Sequence, residues 1–368
     1  MDHDKNYYYD ICKRYLVVVG QWPYQTFKER LFWWIILLIM YISAYVTQML
    51  KFVVCSNMEC IYETLTPHMF TIMIMVKICT FQFNSRKIKD LTDRLFADWN
   101  MLQTKEEHNI MKRYAENGRW YALMYGPYVY VSTFLFTSMS LVPRILDVVF
   151  PLNTSRPIML PYPAYYFVDD DQYFYYIYLH IFRFEHVSYI RNNMDNDLIY
   201  YSDKDLIYCS NGKYYKNVAS SIHAHQQILQ FAKLLEDTFM IAFAVQLLII
   251  TIALSVALLQ LSAQLHDLPE ATRYVVMIIG QLLHLFCLSF QGQQLINHSL
   301  ETCDKIFHSS WFNIPVKEQK LLLFAMKKSI EPNVVTAGKI YVFSLQSFTM
   351  VVQSSMSYFT LLSSLNES

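Results

Sequence analysis

A chain of 368 residues that is 54% hydrophobic, 16% aromatic and only 16% charged falls well below the roughly 25% charged residues of a soluble domain. Its 30 basic and 30 acidic residues cancel, which removes any global electrostatic case for nucleic acid. Positive mean hydropathy and just 7 glycines point to an all-α, polytopic membrane protein embedded in a lipid bilayer.

The first thirty residues are polar and aromatic, with no cleavable signal pattern. The first apolar run, LFWWIILLIMYISAYVTQML (31–50), is free of formal charge and is expected to stay as an anchor. Further windows of this kind lie at 120–143, 238–265, 274–300 and 340–366, each meeting the requirement of about 20 residues for a spanning helix. Residues 62–83 form a weaker one, because Lys77 interrupts it; the reading is that Lys77 snorkels to the headgroups. Spanning helices are therefore expected at about 31–54, 62–83, 120–143, 238–263, 274–294 and 340–365, in a single domain covering 1–368.

Basic residues alternate along the chain. They are frequent in 1–30 (Lys5, Lys13, Arg14, Lys28, Arg30), absent from 55–61, dense in 84–119, and reduced to Arg144 and Arg156 in 144–171. Under the positive-inside rule the N-terminus is cytoplasmic and the loop after the third window is outside. The sequon at Asn153 then falls where it can be glycosylated. Segment 301–339 carries Lys305, Lys317, Lys320, Lys327, Lys328 and Lys339, so it is read as cytoplasmic and the C-terminus as outside.

This count demands one more crossing, near DDDQYFYYIYLHIFRFEHVSYIRNN (169–193). Its charge-free core, Gln172–Phe182, would extend roughly 17 Å as a helix, against a hydrocarbon core of about 30 Å. A remnant at 172–184 is expected, with Arg183 and Glu185 already beyond the membrane. A real short helix is tolerated here only if its neighbours shield it.

The seven cysteines show no CxxC and no His-rich neighbourhood, so no metal site is expected. Cys55 and Cys60 flank a short loop that allows a disulfide, although separate thiols are the preferred reading. No GxSxG, HExxH, P-loop or GxGxxG occurs, so neither an enzyme nor a cofactor is indicated. His223 and His225 lie in a hydrophilic segment and are read as facing water or a neighbouring subunit.

In the last window, Gln346, Gln353, Ser357 and Ser364 fall within about 20° of one line on a helical wheel, beside Met350 and Leu361. One polar stripe on a spanning helix either lines water or hydrogen-bonds a second helix.

The C-terminal stretch SSWFNIPVKEQKLLLFAMKKSIEPNVVTAGKIYVFSLQSFTMVVQSSMSYFTLL (309–362) carries Trp311, Pro315, Lys327-Lys328, Pro332, Thr336-Ala337-Gly338 and Ser357-Tyr358-Phe359. In this it resembles the insect odorant receptors. The resemblance implies a seven-helix plan with the N-terminus inside and the C-terminus outside, here with a truncated fourth helix. It also implies an odorant-binding subunit of a ligand-gated, non-selective cation channel, hetero-tetrameric with the odorant receptor co-receptor (Orco), in the plasma membrane of olfactory neurons.

By the same resemblance the last helix lines the pore, with Gln346, Met350, Gln353 and Ser357 along it and gate positions at Leu361 and Leu365. Small apolar odorants would lie among His68, Met69, Ile72 and Met73; Ser132, Phe134, Phe136 and Met139; Tyr176; and Tyr274, Met277 and Gln281. Pro67, Tyr130, Tyr175, Tyr178 and Ile278 lie in the same helix halves. Segment 301–339 would form an anchor between subunits, binding to the membrane surface being the plainer reading. A homomeric gustatory-type channel and a non-functional truncated form are the rivals. A G-protein-coupled receptor is opposed by the basic-residue count and by the lack of DRY and NPxxY motifs.

Overall fold

A computed structural model describes residues 2–18, 20–102, 104–151, 156, 160–192 and 214–367. The expected glycosylation site Asn153 lies outside them. The chain is helical almost throughout: α1 (Asp2–Val18), α2 (Phe27–Val54), α3 (Met58–Phe83), α4 (Ser85–Met101), α5 (Lys105–Ser138), α6 (Val142–Val149), α7 (Phe174–Asn192), α8 (Tyr214–Ala263), α9 (Leu268–His308), α10 (Val316–Ser329) and α11 (Leu345–Glu367). A hairpin of β1 (Thr336–Ala337) and β2 (Tyr341–Val342) separates α10 from α11.

Local chemistry sets the boundaries. Thr26 and Glu29 form a capping box at the start of α2, and Thr104 and Glu107 repeat it at α5. Asn57 caps α3 by accepting from the Cys60 amide at 3.1 Å. The loop between α2 and α3 is closed by a Cys55–Cys60 disulfide, contrary to the expectation of separate thiols. A separation of five residues leaves the two Cα atoms 5.6 Å apart, within the ordinary span of a disulfide.

Phe27–Val54, Met58–Phe83, Glu107–Val149, Gln226–Ala263 and Leu268–His308 are long and apolar enough to cross a membrane. Helices α7 and α11 complete a bundle of seven, although their polar residues keep them out of that set. Helix α8, at 50 residues, reaches roughly 75 Å, and α9, at 41, roughly 60 Å. Both project far beyond a bilayer core of about 30 Å. Around the projecting parts gather α1, α4, α10 and the hairpin. Trp99 donates to the Tyr9 hydroxyl at 2.8 Å, Asn84 donates to the Thr238 carbonyl at 3.2 Å, and Ile306 packs with Leu322 and Ala325.

Helix α8 is the centre of the molecule, packing against α3, α4, α9, α10, α11 and β1. Its Phe231, Leu235, Phe239 and Phe243 join Leu37, Phe81, Leu91, Leu288, Val335 and Phe343 in the main core. The hairpin docks there: the Gly338 amide donates to the Met240 carbonyl, and Thr336 donates to Glu236. The last helix begins at Leu345 rather than 340, because Tyr341 and Val342 are spent on β2.

Two charged positions differ from expectation. Lys77 is 2% exposed, held on the buried face of α3 beside Ile74 and Ile78, and does not snorkel. Helix α7 continues through Arg183 and Glu185 to Asn192, so these residues belong to it and do not follow it. At 19 residues α7 is still the shortest helix of the seven. Phe184 packs on Tyr41, Ala44, Ile74 and Ile78, and the His180 ring bonds Ser43 at 3.0 Å.

Candidate ligand-binding cavity

A cavity of about 100 Å³ lies between α3, α5, α7, α8 and α9. Helical spacing builds its walls. Helix α3 presents Pro67, Phe70, Met73 and Ile74; α5 presents Tyr125, Tyr128, Ser132, Thr133 and Phe136; α9 presents Val276, Met277, Gly280, Gln281 and His284. These sets recur at three or four residues, which is one face of each helix. Ile250 of α8, Glu185 of α7 and Tyr162 from the loop before α7 complete the lining.

Pro67 lies inside α3, where it removes one backbone donor, and Thr71 donates from its hydroxyl to the Pro67 carbonyl at 3.1 Å. At Gly280 an added Cβ would meet nothing within 4 Å, so this point of the wall is open.

The polar groups are few and placed at the helix interfaces. His284 bonds the Tyr125 hydroxyl through Nδ1 and the Gln246 amide through Nε2, so one imidazole joins α5, α8 and α9. Gln281 is 3% exposed, and its amide has no hydrogen-bond partner among the described residues. An amide so buried is ordinarily bonded, which marks it as a group that a ligand can satisfy. Burial holds the Tyr162 phenol well above its ordinary pKa, so it stays neutral. Burial likewise pushes Tyr166 up to about 12.

Of the residues singled out from sequence, Met73, Ser132, Phe136, Met277 and Gln281 line this cavity, as does Pro67. The others lie elsewhere. His68 is buried against the rings of Tyr45 and Phe52. Met69 and Ile72 pack on the cluster around Ile249 and Leu285. Phe134 and Tyr176 are exposed on the outer surface, Phe134 edge-on to Phe182. Met139 sits half-buried in the turn after α5. Tyr274 is buried and accepts from Arg273 at 3.2 Å. Sequence reasoning missed Tyr125, Tyr128 and His284, each one or two turns further along a face it had already identified. It missed Glu185 by ending the helix too early.

The positions expected along a pore, Gln346, Met350, Gln353, Ser357 and Leu361, share one exposed face of α11 with Ser364. The opposite face, Ser347, Val351 and Ser355, is buried, and Ser255 of α8 donates to the Ser355 carbonyl at 3.3 Å. The side chain of Leu365 lies outside those described, as does that of His225, whereas His223 is exposed.

Comparison with known proteins agrees with this architecture. The family described as 7tm Odorant receptor matches residues 208–356. Odorant receptor Or2 of Anopheles gambiae is 27% identical over 152 residues, which is 41% of this chain and 37% of that receptor. Odorant receptor 13a of Drosophila melanogaster is 28% identical over 155 residues, or 39% of this chain and 37% of that receptor. The chain thus matches well under two thirds of the length of these relatives.

The structure of the insect olfactory receptor OR5 from Machilis hrabei in complex with eugenol superposes with a TM-score of 0.80 over 99% of both chains, at 15% identity. Another structure of OR5 superposes with a TM-score of 0.72 over 98% of both, at 14% identity. A receptor family, not an enzyme family, is what these share. The chain resembles the insect odorant receptors: that family's model matches part of its C-terminal half, and the described residues share the all-α fold of the OR5 structures.

Proposed function

We propose that this chain is the odorant-binding subunit of a ligand-gated, non-selective cation channel, working with the shared co-receptor in the plasma membrane of olfactory neurons. The observation that carries this reading is the division of α11 into two faces. A helix that only filled a bundle would bury its glutamines against neighbours; here Gln346 and Gln353 face outward with Ser357 and Ser364, and the packed side is the other one. Four such stripes around an axis make a wet path. Leu361, 54% exposed on the same face, can close it by excluding water when four copies meet.

The cavity provides the ligand end. Its wall of Met, Tyr and Phe with few polar groups suits a small apolar molecule. The related OR5 holds eugenol, a molecule of that kind. A ligand opens the channel only to the extent that it binds the open arrangement more tightly than the closed one.

The test is to express the chain with the co-receptor and to place single cysteines along α11. Cysteine at Gln346, Gln353 or Ser357 is expected to react with water-borne thiol reagents and to change the odorant-evoked current. Cysteine at Ser347 or Ser355 is expected to stay protected. Equal protection of both faces, in resting and stimulated channels, removes the pore assignment. Full currents from the chain alone would replace the hetero-tetramer with a homomeric, gustatory-type channel.

A further inference from the structure

The cavity holds one carboxyl group. Glu185 lines it from α7, and no lysine or arginine among the described residues forms an ion pair with it. Its neighbours on α7 are fixed: Ile181 and Phe184 are both buried, so the register of the helix sets Glu185, itself half-buried, against the cavity. None of the other lining groups supplies a cation, and Lys77, buried on α3 near His284, does not line the cavity. His284 is engaged at both ring nitrogens, and Tyr125, Tyr128, Tyr162, Ser132 and Gln281 are neutral. A carboxylate set among apolar walls without a counter-charge is strongly unfavourable. A ligand that brings a cation removes that penalty.

On this ground, and resting on the reading of the cavity as the ligand site, we propose that the chain recognises small apolar amines, with the ammonium group on Glu185. The unpartnered carbonyl of Gln281 is the second acceptor available to the ammonium hydrogens. The ring faces of Phe70, Tyr125, Tyr128 and Phe136 attract a cation electrostatically and cover the alkyl part. Size follows from volume. An apolar cavity of about 150 Å³ takes benzene, with its six heavy atoms, so about 100 Å³ calls for a body no larger than that.

The experiment compares 3-methylbutylamine with 3-methylbutanol, which share a carbon skeleton and differ in the charged head. Saturation binding of each radiolabelled compound is measured on the purified full chain in lipid nanodiscs. The amine is expected to bind at least about tenfold more tightly, the step a charge-assisted hydrogen bond supplies in a dry site. Glu185→Gln is expected to remove this preference, weakening the amine about tenfold and leaving the alcohol unchanged. Glu185→Asp, which keeps the charge, is expected to retain a preference and covers the case in which the glutamine variant does not fold.

Equal affinity for the two compounds, binding of neither, or equal losses for both in Glu185→Gln overturns the assignment. Gly280→Leu separates this failure from that of the cavity itself, because it fills an open point of the wall. Binding abolished by Gly280→Leu, together with no selective effect at Glu185, leaves the cavity as the site and removes the amine. Binding untouched by Gly280→Leu removes both.

Discussion

His284 joins three helices through one ring, and its removal is a local test of the packing around the cavity. In His284→Ala the Tyr125 hydroxyl and the Gln246 amide each lose this bond in a part-buried site. Losing one member of a buried polar pair costs about 1–3 kcal/mol, so the melting temperature in detergent is expected to fall, with partial recovery in His284→Gln. Gly292 is a second such point, for a different reason. A Cβ there would stand 2.3 Å from the Phe343 carbonyl oxygen and 2.6 Å from its Cβ, so α9 and the end of the hairpin touch backbone to side-chain root. No rotamer change relieves a clash with backbone. Gly292→Ala is expected to destabilise by roughly 1–3 kcal/mol, whereas Gly280→Ala, inside the helix with empty space at its Cβ, is expected to raise the melting temperature slightly. Neither glycine could be ranked from the sequence, because the atom that decides the matter lies far along the chain. Gln281 and Ser132 could, since each is a polar residue on an apolar helix face, and that contrast needs no partner to be visible.

Elements show the same division between what is local and what is not. The long charge-free windows revealed α2, α5, α8, α9 and α11, and a weaker one α3, because a helix in lipid must lack charge over the length that crosses the hydrocarbon. The rule failed where charge is sheltered by protein instead of excluded. Lys77 on α3 and Glu185 on α7 both sit inside the bundle, and each had been assigned to a boundary. Hydropathy also fails to separate a short strand from a helix, which is why the start of α11 was placed at 340, inside the hairpin. That hairpin turns through Gly338 and Lys339, with φ of +62° and +59°. Two successive positive angles suit the paired turn of a tight antiparallel hairpin. The lysine adopts the second at a steric cost that glycine does not have. Lys339→Gly is therefore expected to stabilise the hairpin by about 1 kcal/mol, and Lys339→Val, branched at Cβ, to weaken it by more. Because the turn seats Gly338 on Met240 of α8, the change is readable as amide exchange in β1 and β2.

For the whole molecule the open quantity is orientation, and two independent physical signals bear on it. Lysine and arginine crowd the end of the bundle formed by α1, α4, α10 and the hairpin, which the positive-inside rule assigns to the cytoplasm. Cysteine chemistry divides the same way. The disulfide Cys55–Cys60 stands at the opposite end, between α2 and α3, whereas Cys12 on α1 and Cys303 near the end of α9, at the basic end, form no disulfide among the described residues. Disulfides persist in oxidising space and thiols in the reducing cytosol, so both signals predict an N-terminus inside. Because α11 starts at the basic end, its Leu361 then lies close to the outer surface, where a gate at the external mouth would be. Variants that keep Cys12 or Cys303 as the sole thiol are expected to react with a membrane-impermeant maleimide only after cells are permeabilised. A variant retaining only Cys55 and Cys60 is expected to react on intact cells, and only after mild reduction. Labelling of Cys12 on intact cells would invert the topology, and the exposed stripe of α11 would then enter the membrane from outside.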